Sequence, residues 1–365
     1  MTVHGILNNV GILSFSTFLV LLVDQCAWRI VRLPLAPFHM MRPFLLSMVS
    51  VSCVGYICVP LFRMLRLRSV VRNVGPSRHS SKKGTPTMGG LYFVLIGLLV
   101  AQVVLSFSSI EVSGAALVTI VFAAIGLLDD YLSIKNRNDG LSGWPRVLLE
   151  VAVGTCFSYW LYTTDITSPY SMKMVVPLPA PLGLVCLGKV YPLLTSLCFV
   201  SMANGVNLTD GLDGLAAGTA ALAFLGMSIV VLPICSDISD LSIFGASMAG
   251  ACVGFLFQNR HKASILMGDT GALALGGALA AMASCTGMFF PLFISSGIFV
   301  LEALSVIMQL SIFKATRRGY RFFRMAPLHH YIELCGIKEP TIVAASYVTA
   351  SVLILCGAYV GLTSA

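Results

Sequence analysis

Long apolar stretches separated by short polar segments dominate this chain. Stretches of membrane-crossing length fall at 44–64, 88–107, 114–130, 147–163 and 184–203 in the first half. The second half repeats the pattern at 211–232, 241–257, 268–287, 290–312 and 341–361. A transmembrane helix takes about 20 apolar residues, so the pattern predicts roughly ten spans joined by short loops. A further apolar stretch, 6–23, precedes them. It holds Asn8 and Asn9 and lacks a basic segment before it, so it reads as an eleventh span or an interfacial helix rather than a signal peptide. The expected fold class is all-α and polytopic: an N-terminal segment 1–43, a ten-helix membrane domain 44–361 and a tail 362–365.

Composition sharpens this picture. Of 365 residues, 57% are hydrophobic and 10% charged, where a soluble domain carries roughly 25% charge. The same numbers exclude a disordered chain, which needs low hydrophobicity and high charge. The 11 cysteines are scattered, mostly inside apolar runs, with no C-x-x-C pair. They read as small apolar residues in helix packing rather than metal ligands or disulfide partners.

The formal charge of +8 would point to nucleic acid if it formed one patch. Instead, most Lys and Arg fall on alternate loops. Arg63, Arg66, Arg68, Arg72, Arg78, Lys82 and Lys83 follow the first span, and Lys135, Arg137 and Arg146 follow the third. Arg260 and Lys262 follow the seventh, and Lys314, Arg317, Arg318, Arg321, Arg324 and Lys338 follow the ninth. By the positive-inside rule these loops are cytoplasmic. The charge is thus topological, and no nucleic-acid partner is expected.

The acids need a different explanation, because they do little to set orientation. Asp129 and Asp130 end the third apolar run. A helix C-terminus already carries partial negative charge, so this pair calls for a metal or a basic partner. Asn204, Asn207, Asp210 and Asp213 recur every third residue and would form one polar stripe in helical geometry, with Gly205, Gly211 and Gly214 letting backbone approach a ligand. Asp269 opens another span in the run Met267-Gly-Asp-Thr-Gly, where helix capping competes with function. Five aspartates from three junctions on one face suggest an oxygen-rich site for a hard cation such as Mg²⁺. The segment His79–Gly90 adds lysines, threonine hydroxyls and glycine amides that suit a phosphate at a helix N-terminus, although it lacks the order of a nucleotide P-loop. The alternative for that segment is an anchor for anionic lipid headgroups.

These motifs, in this order, resemble the phospho-N-acetylmuramoyl-pentapeptide transferase family. The resemblance rests on GTPTMGG at 84–90, the Asp129-Asp130 pair, NLTDGLDGLA at 207–216, MGDTGALALGG at 267–277, EALSV at 302–306 and PLHHYIEL at 327–334. It covers about 44–361. It implies a ten-helix fold, usually a homodimer, with a cytoplasmic active-site cleft. The implied reaction joins UDP-MurNAc-pentapeptide to a polyprenyl (undecaprenyl) phosphate, releasing UMP and forming lipid I of peptidoglycan synthesis, with Mg²⁺ as cofactor.

Residue by residue, the resemblance makes Asp269 the Mg²⁺ ligand, Asp129 the base that activates the lipid phosphate, and Asp130 its essential neighbour. Asp213 and His329 join the catalytic set. Lys82, Thr87, Asn204, Asn207, Asp210, Asn259 and His330 fall to substrate binding. Three positions depart from the family pattern: Ser133 stands where Lys is frequent, Tyr331 replaces the third histidine of a triplet, and Ala272 replaces a serine. None removes an aspartate. The rival readings are a polyprenyl-phosphate GlcNAc-1-phosphate transferase, a transporter and a non-catalytic homologue. The implied location is a bacterial cytoplasmic membrane, with a plastid inner envelope as the alternative.

Overall fold

The computed structural model describes residues 3–29, 38–65, 67, 84–136, 140–164, 175–178, 182–234, 239–317 and 319–364. Among them, six helices occupy the first half: α1 (Val3–Arg29), α2 (Met41–Met64), α3 (Gly90–Val104), α4 (Ile110–Lys135), α5 (Gly143–Thr163) and α6 (Tyr191–Thr209). Seven follow: α7 (Leu215–Val231), α8 (Ser239–Asn259), α9 (Gly268–Thr286), α10 (Phe289–Ser295), α11 (Gly297–Ala315), α12 (Leu328–Leu334) and α13 (Glu339–Ser364). Between α5 and α6, strands β1 (Val175–Pro177) and β2 (Leu184–Cys186) pair antiparallel, with Val176 opposite Val185.

The expected spans map onto α2 to α9, the α10–α11 pair and α13, while the N-terminal apolar stretch is the helix α1. Three local expectations need correction. The fifth apolar run begins as strand β2, and its helix starts only at Tyr191, with Pro192 in the first turn where a missing N–H costs nothing. The ninth run is broken at Ser296 into α10 and α11. Finally, α6 ends at Thr209 and residues 210–214 form turns. The polar stripe is therefore helical for Asn204 and Asn207 only, and Asp213 leaves it.

Helix α9 is the axis of the bundle. Every residue from Thr270 to Thr286 is buried, and α3, α4, α6 and α7 pack around it. Its Gly, Ala and Ser content lets those neighbours approach at backbone distance, as small residues do between membrane helices. A Cβ on Gly276 would strike the backbone of Ala203 in α6, and one on Gly277 would strike the Phe122 ring in α4.

The outside of the bundle is apolar. Leu95, Leu99 and Val103 line one exposed stripe of α3, and Val348, Val352, Leu355 and Tyr359 line one of α13. Spacings of three and four make each a continuous helical face. Such faces are too extensive for a water-soluble surface. Among the described residues, five helices, including α2, α4, α11 and α13, are long and apolar enough to cross a membrane on length and composition alone. The chain is an all-α polytopic membrane protein.

The junctions after α2, α4, α6 and α8 gather at one end of the bundle. Gly89 donates its N–H to Leu266, the N–H of Asp269 reaches Asp130, and that of Ala263 reaches Asp213. This convergence builds the site.

Candidate active site

The segment entering α3 is fixed first. Gly89 and Gly90 donate their N–H groups to the carbonyls of Leu266 and Met267, both at 3.0 Å, and Leu266 donates back to Pro86 at 2.8 Å. The two glycine amides are thus committed to backbone partners, which corrects the expectation that they cradle a phosphate. The glycines serve packing instead: a Cβ on Gly90 would meet the backbone of Gly271. Thr87, 6% exposed, lies beside Gly268 at the start of α9. Lys82 lies outside the described residues.

Asp129 and Asp130 are adjacent but look in different directions. Asp130 accepts the N–H groups of Asp269 at 3.1 Å and Thr270 at 3.0 Å, and the Thr270 hydroxyl at 2.6 Å. It caps α9 from another helix, placing a carboxylate where the α9 N–H groups and dipole favour an anion. Asp269 therefore sits in the first turn of α9, held from behind by Asp130. Asp129 is buried and accepts Leu141 N–H at 2.7 Å and Arg146 Nη1 at 3.0 Å. Helix α4 runs on to Lys135, so the pair lies inside the helix and not at its C-terminus as expected, and for Asp129 one partner is a basic side chain.

Arg146 is the centre of the network. Its Nη1 also lies 3.8 Å from Asp269 Oδ2, its Nη2 donates to Asn204 Oδ1 at 2.6 Å, and its Nε lies 3.6 Å from Glu150 Oε1. Asn204 in turn donates Nδ2 to Glu150 Oε2 at 2.6 Å. One turn further along α6, Asn207 donates Nδ2 to Asp269 Oδ1 at 2.8 Å. The planar guanidinium with its forked donors suits this multi-point role in a way a lysine does not. Sequence reasoning had counted Arg146 as a topological charge and missed its role. Its spacing of four from Glu150, both at the start of one helix, was the available signal.

The approach of α4 to α9 depends on Gly126, where a Cβ would run into the Asp269 carbonyl. That contact sets how near Asp129 and Asp130 stand to Asp269.

The remaining expected residues lie around the α6–α7 turn. Asp210 is the C-terminal cap residue of α6. Asp213 receives the N–H of Ala263 at 3.0 Å and donates its own N–H to Glu339 at 2.6 Å. The structure thus groups Asp213 with His261 and Glu339, apart from the Arg146 network. Asn259, 2% exposed, accepts from Gly214 N–H at 3.1 Å and donates to the Ile265 carbonyl at 3.0 Å. Its amide pins two loops together. His329, 1% exposed, holds Nδ1 3.2 Å from Glu302 Oε2, and its Nε2 faces Gly211. His330 lies 3.6 Å from Glu333 and stacks at an angle on His329.

Asp269, like Asp130 and Asp210, is partly exposed. Its side chain is 35% exposed, whereas those of Asp129 and Asp213 are 5% and 4% exposed. One open carboxylate beside an amide is a donor set that fits Mg²⁺, which uses one or two carboxylates and takes its other ligands from water and substrate phosphates.

Fold and site together define a polytopic helical membrane protein whose acidic centre is assembled from helix ends on one face. A family model described as glycosyl transferase family 4 matches residues 112–287, and a phospho-N-acetylmuramoyl-pentapeptide-transferase signature matches residues 82–94. A phospho-N-acetylmuramoyl-pentapeptide-transferase of Microcystis aeruginosa is 39% identical over 320 residues, covering 86% of each chain. One from Nostoc punctiforme is 39% identical over 333 residues and 88% of each, and one from Picosynechococcus sp. is 40% identical over 320 residues, 86% of this chain and 84% of its own. The chain belongs to the phospho-N-acetylmuramoyl-pentapeptide transferase family.

Proposed function

We propose that this protein transfers phospho-MurNAc-pentapeptide from its UDP donor to a polyprenyl phosphate, forming lipid I and releasing UMP. In this reading an oxygen of the lipid phosphate attacks the β-phosphorus of the donor. The bond from that phosphorus to the bridging oxygen breaks, and its electron pair leaves with UMP. Such transfers depend mainly on positioning and charge neutralisation. The observation that carries the reading is the accessible Asp269 carboxylate, backed by Asp130 and flanked by Asn207 and Arg146.

Asp269 would hold Mg²⁺, with Asn207 orienting its carboxylate. The ion, when bound, supplies charge neutralisation for a diphosphate. Arg146 adds a fixed positive charge beside it. A phosphate monoester has its second pKa near about 6 and is mostly dianionic at neutral pH, so no protein base is required to activate it. Asp129, engaged by Leu141 and Arg146, is then the anchor that aims the guanidinium rather than a proton acceptor. The basic loops support a cytoplasmic orientation for this face, and the homodimer implied by the family resemblance belongs to the same reading.

The test is UMP release by detergent-purified protein given polyprenyl phosphate and either UDP-MurNAc-pentapeptide or UDP-GlcNAc. Lipid-dependent UMP from the first donor supports the proposal. Release from UDP-GlcNAc alone would move the protein to the GlcNAc-1-phosphate branch.

A further inference from the structure

A second group of metal-ligating side chains stands apart from the Arg146 network. Asp213 comes from the α6–α7 turn, His261 from the α8–α9 loop and Glu339 from the first turn of α13. One ligand atom from each lies within 4.8 Å of the others. A single ring nitrogen, His261 Nδ1, faces both carboxylates, 3.6 Å from Asp213 Oδ2 and 3.5 Å from Glu339 Oε2.

Those spacings discriminate between two arrangements. An N–H···O hydrogen bond spans about 2.7–3.2 Å, and one N–H serves one such acceptor well. Ligands held at about 2.0–2.1 Å around one tetrahedral ion stand roughly 3.3 Å from each other. The two separations from His261 exceed a hydrogen bond and lie within a few tenths of an ångström of the second value, and the carboxylate pair stays within 4.8 Å. The carboxylates are also oriented from outside, as ligating carboxylates usually are: Ala263 N–H holds Asp213 at 3.0 Å, and Asp213 N–H holds the far oxygen of Glu339 at 2.6 Å. His261 is 38% exposed on its side chain, which leaves a path for an ion and room for a water ligand.

We infer that Asp213, His261 and Glu339 form a binding site for a borderline divalent transition ion of the Zn²⁺ class, separate from the Mg²⁺ position at Asp269. An imidazole with two carboxylates is a zinc-type donor set, whereas Mg²⁺ prefers oxygen ligands alone. The bound ion ties the start of α13 to the α6–α7 turn and to the loop leading into α9. Those segments also meet through Asn259, the Tyr347 hydroxyl on the Gly214 carbonyl, and Leu212 packed on Ile342 and Val343. The site goes beyond the transferase reading and does not depend on it.

The experiment uses the full chain in detergent, stripped of metal and returned to a Mg²⁺-containing buffer. Zn²⁺ is titrated by calorimetry, Co²⁺ by its visible spectrum, and the thermal midpoint is recorded with and without Zn²⁺. The wild type should bind an ion, give the Co²⁺ spectrum of a low-coordinate nitrogen–oxygen site, and gain in Tm through ligand linkage. His261→Ala and Glu339→Gln should each weaken Zn²⁺ binding by roughly tenfold or more and lose the Tm gain, while Asp269→Asn retains both. The metal-free Tm of each variant separates misfolding from a lost ligand. Equal binding by wild type and His261→Ala would overturn the proposal and place the ion elsewhere, as at His329–His330. No Zn²⁺ binding by the wild type would also overturn it and leave an imidazolium–carboxylate contact.

Discussion

Arg146 joins α4, α6 and α9 through one guanidinium. It touches Asp129 and Asn204 directly and lies within 4 Å of Glu150 and Asp269. Its removal takes the positive charge away from the buried Asp129 and Glu150, leaving them the Leu141 N–H and the Asn204 amide. Breaking a buried pair by deleting one partner costs about 3–5 kcal/mol, so Arg146→Ala should lower the thermal midpoint as well as abolish turnover. Arg146→Lys keeps the charge but cannot reach Asp129 and Asn204 together, and should recover stability better than activity. A variant Arg146→Ala with wild-type Tm and turnover would remove the network from the account.

The adjacent aspartates should behave differently when neutralised. Asp130→Asn weakens the cap on α9, at about 1 kcal/mol by analogy with side-chain caps, and loosens Asp269. Its activity should therefore return in part at raised Mg²⁺, read as a higher half-saturating concentration. Asp129→Asn should lose activity by a factor that stays constant from neutral to alkaline pH, because the phosphate nucleophile is already ionised. If Asp129 removes a proton, alkali would do its work instead, and the deficit would shrink as pH rises.

The residues of this centre were only partly legible in the chain. Asp129, Asp130, Asn204, Asn207 and Asp269 stood out because acids and amides at the ends of apolar runs have no topological explanation. Arg146 and Glu150 were hidden among ordinary loop and helix charges. The roles of Asp130, Asn259 and the glycines at 89 and 90 were not readable, because each depends on which backbone groups from distant segments lack partners.

Among the elements, α4 and α9 decide the geometry. Gly126 lets them touch where the site begins, and a Cβ there meets the Asp269 carbonyl. Overpacking of this kind costs about 1–3 kcal/mol. Gly126→Ala should therefore lower Tm and impair turnover, whereas Gly143→Ala, with nothing within 4 Å of the added carbon, should change neither. Thermal melts of the two variants, side by side with activity, check the pair. Apolar run length located the helices well, because one face of each has only lipid or other helices to meet. It failed at Ser296 and at 184–190, where an apolar run changes conformation without a change in hydropathy. The polar stripe failed at Thr209 because helical spacing continued into residues that turn.

At the scale of the whole molecule, the described junctions after α2, α4, α6 and α8 meet at one end, and the proposed orientation turns that end to the cytoplasm. Single cysteines introduced in the 316–338 loop and in the β1–β2 hairpin should react with an impermeant thiol reagent from opposite sides of sealed vesicles. Labelling of both from one side would contradict the assignment. The number and placing of the spans were legible early, since apolar run length is a sum over many residues. The helical break at Ser296 and the central place of α9 required the packed structure.

The most direct measurement is lipid-dependent UMP release from UDP-MurNAc-pentapeptide across a Mg²⁺ titration, wild type beside Asp269→Asn. The account predicts release that EDTA abolishes and Mg²⁺ restores, with Asp269→Asn reduced by roughly 10²-fold or more while its Tm shows it folded. Metal-independent release, or a folded Asp269→Asn variant turning over like the wild type, would contradict it.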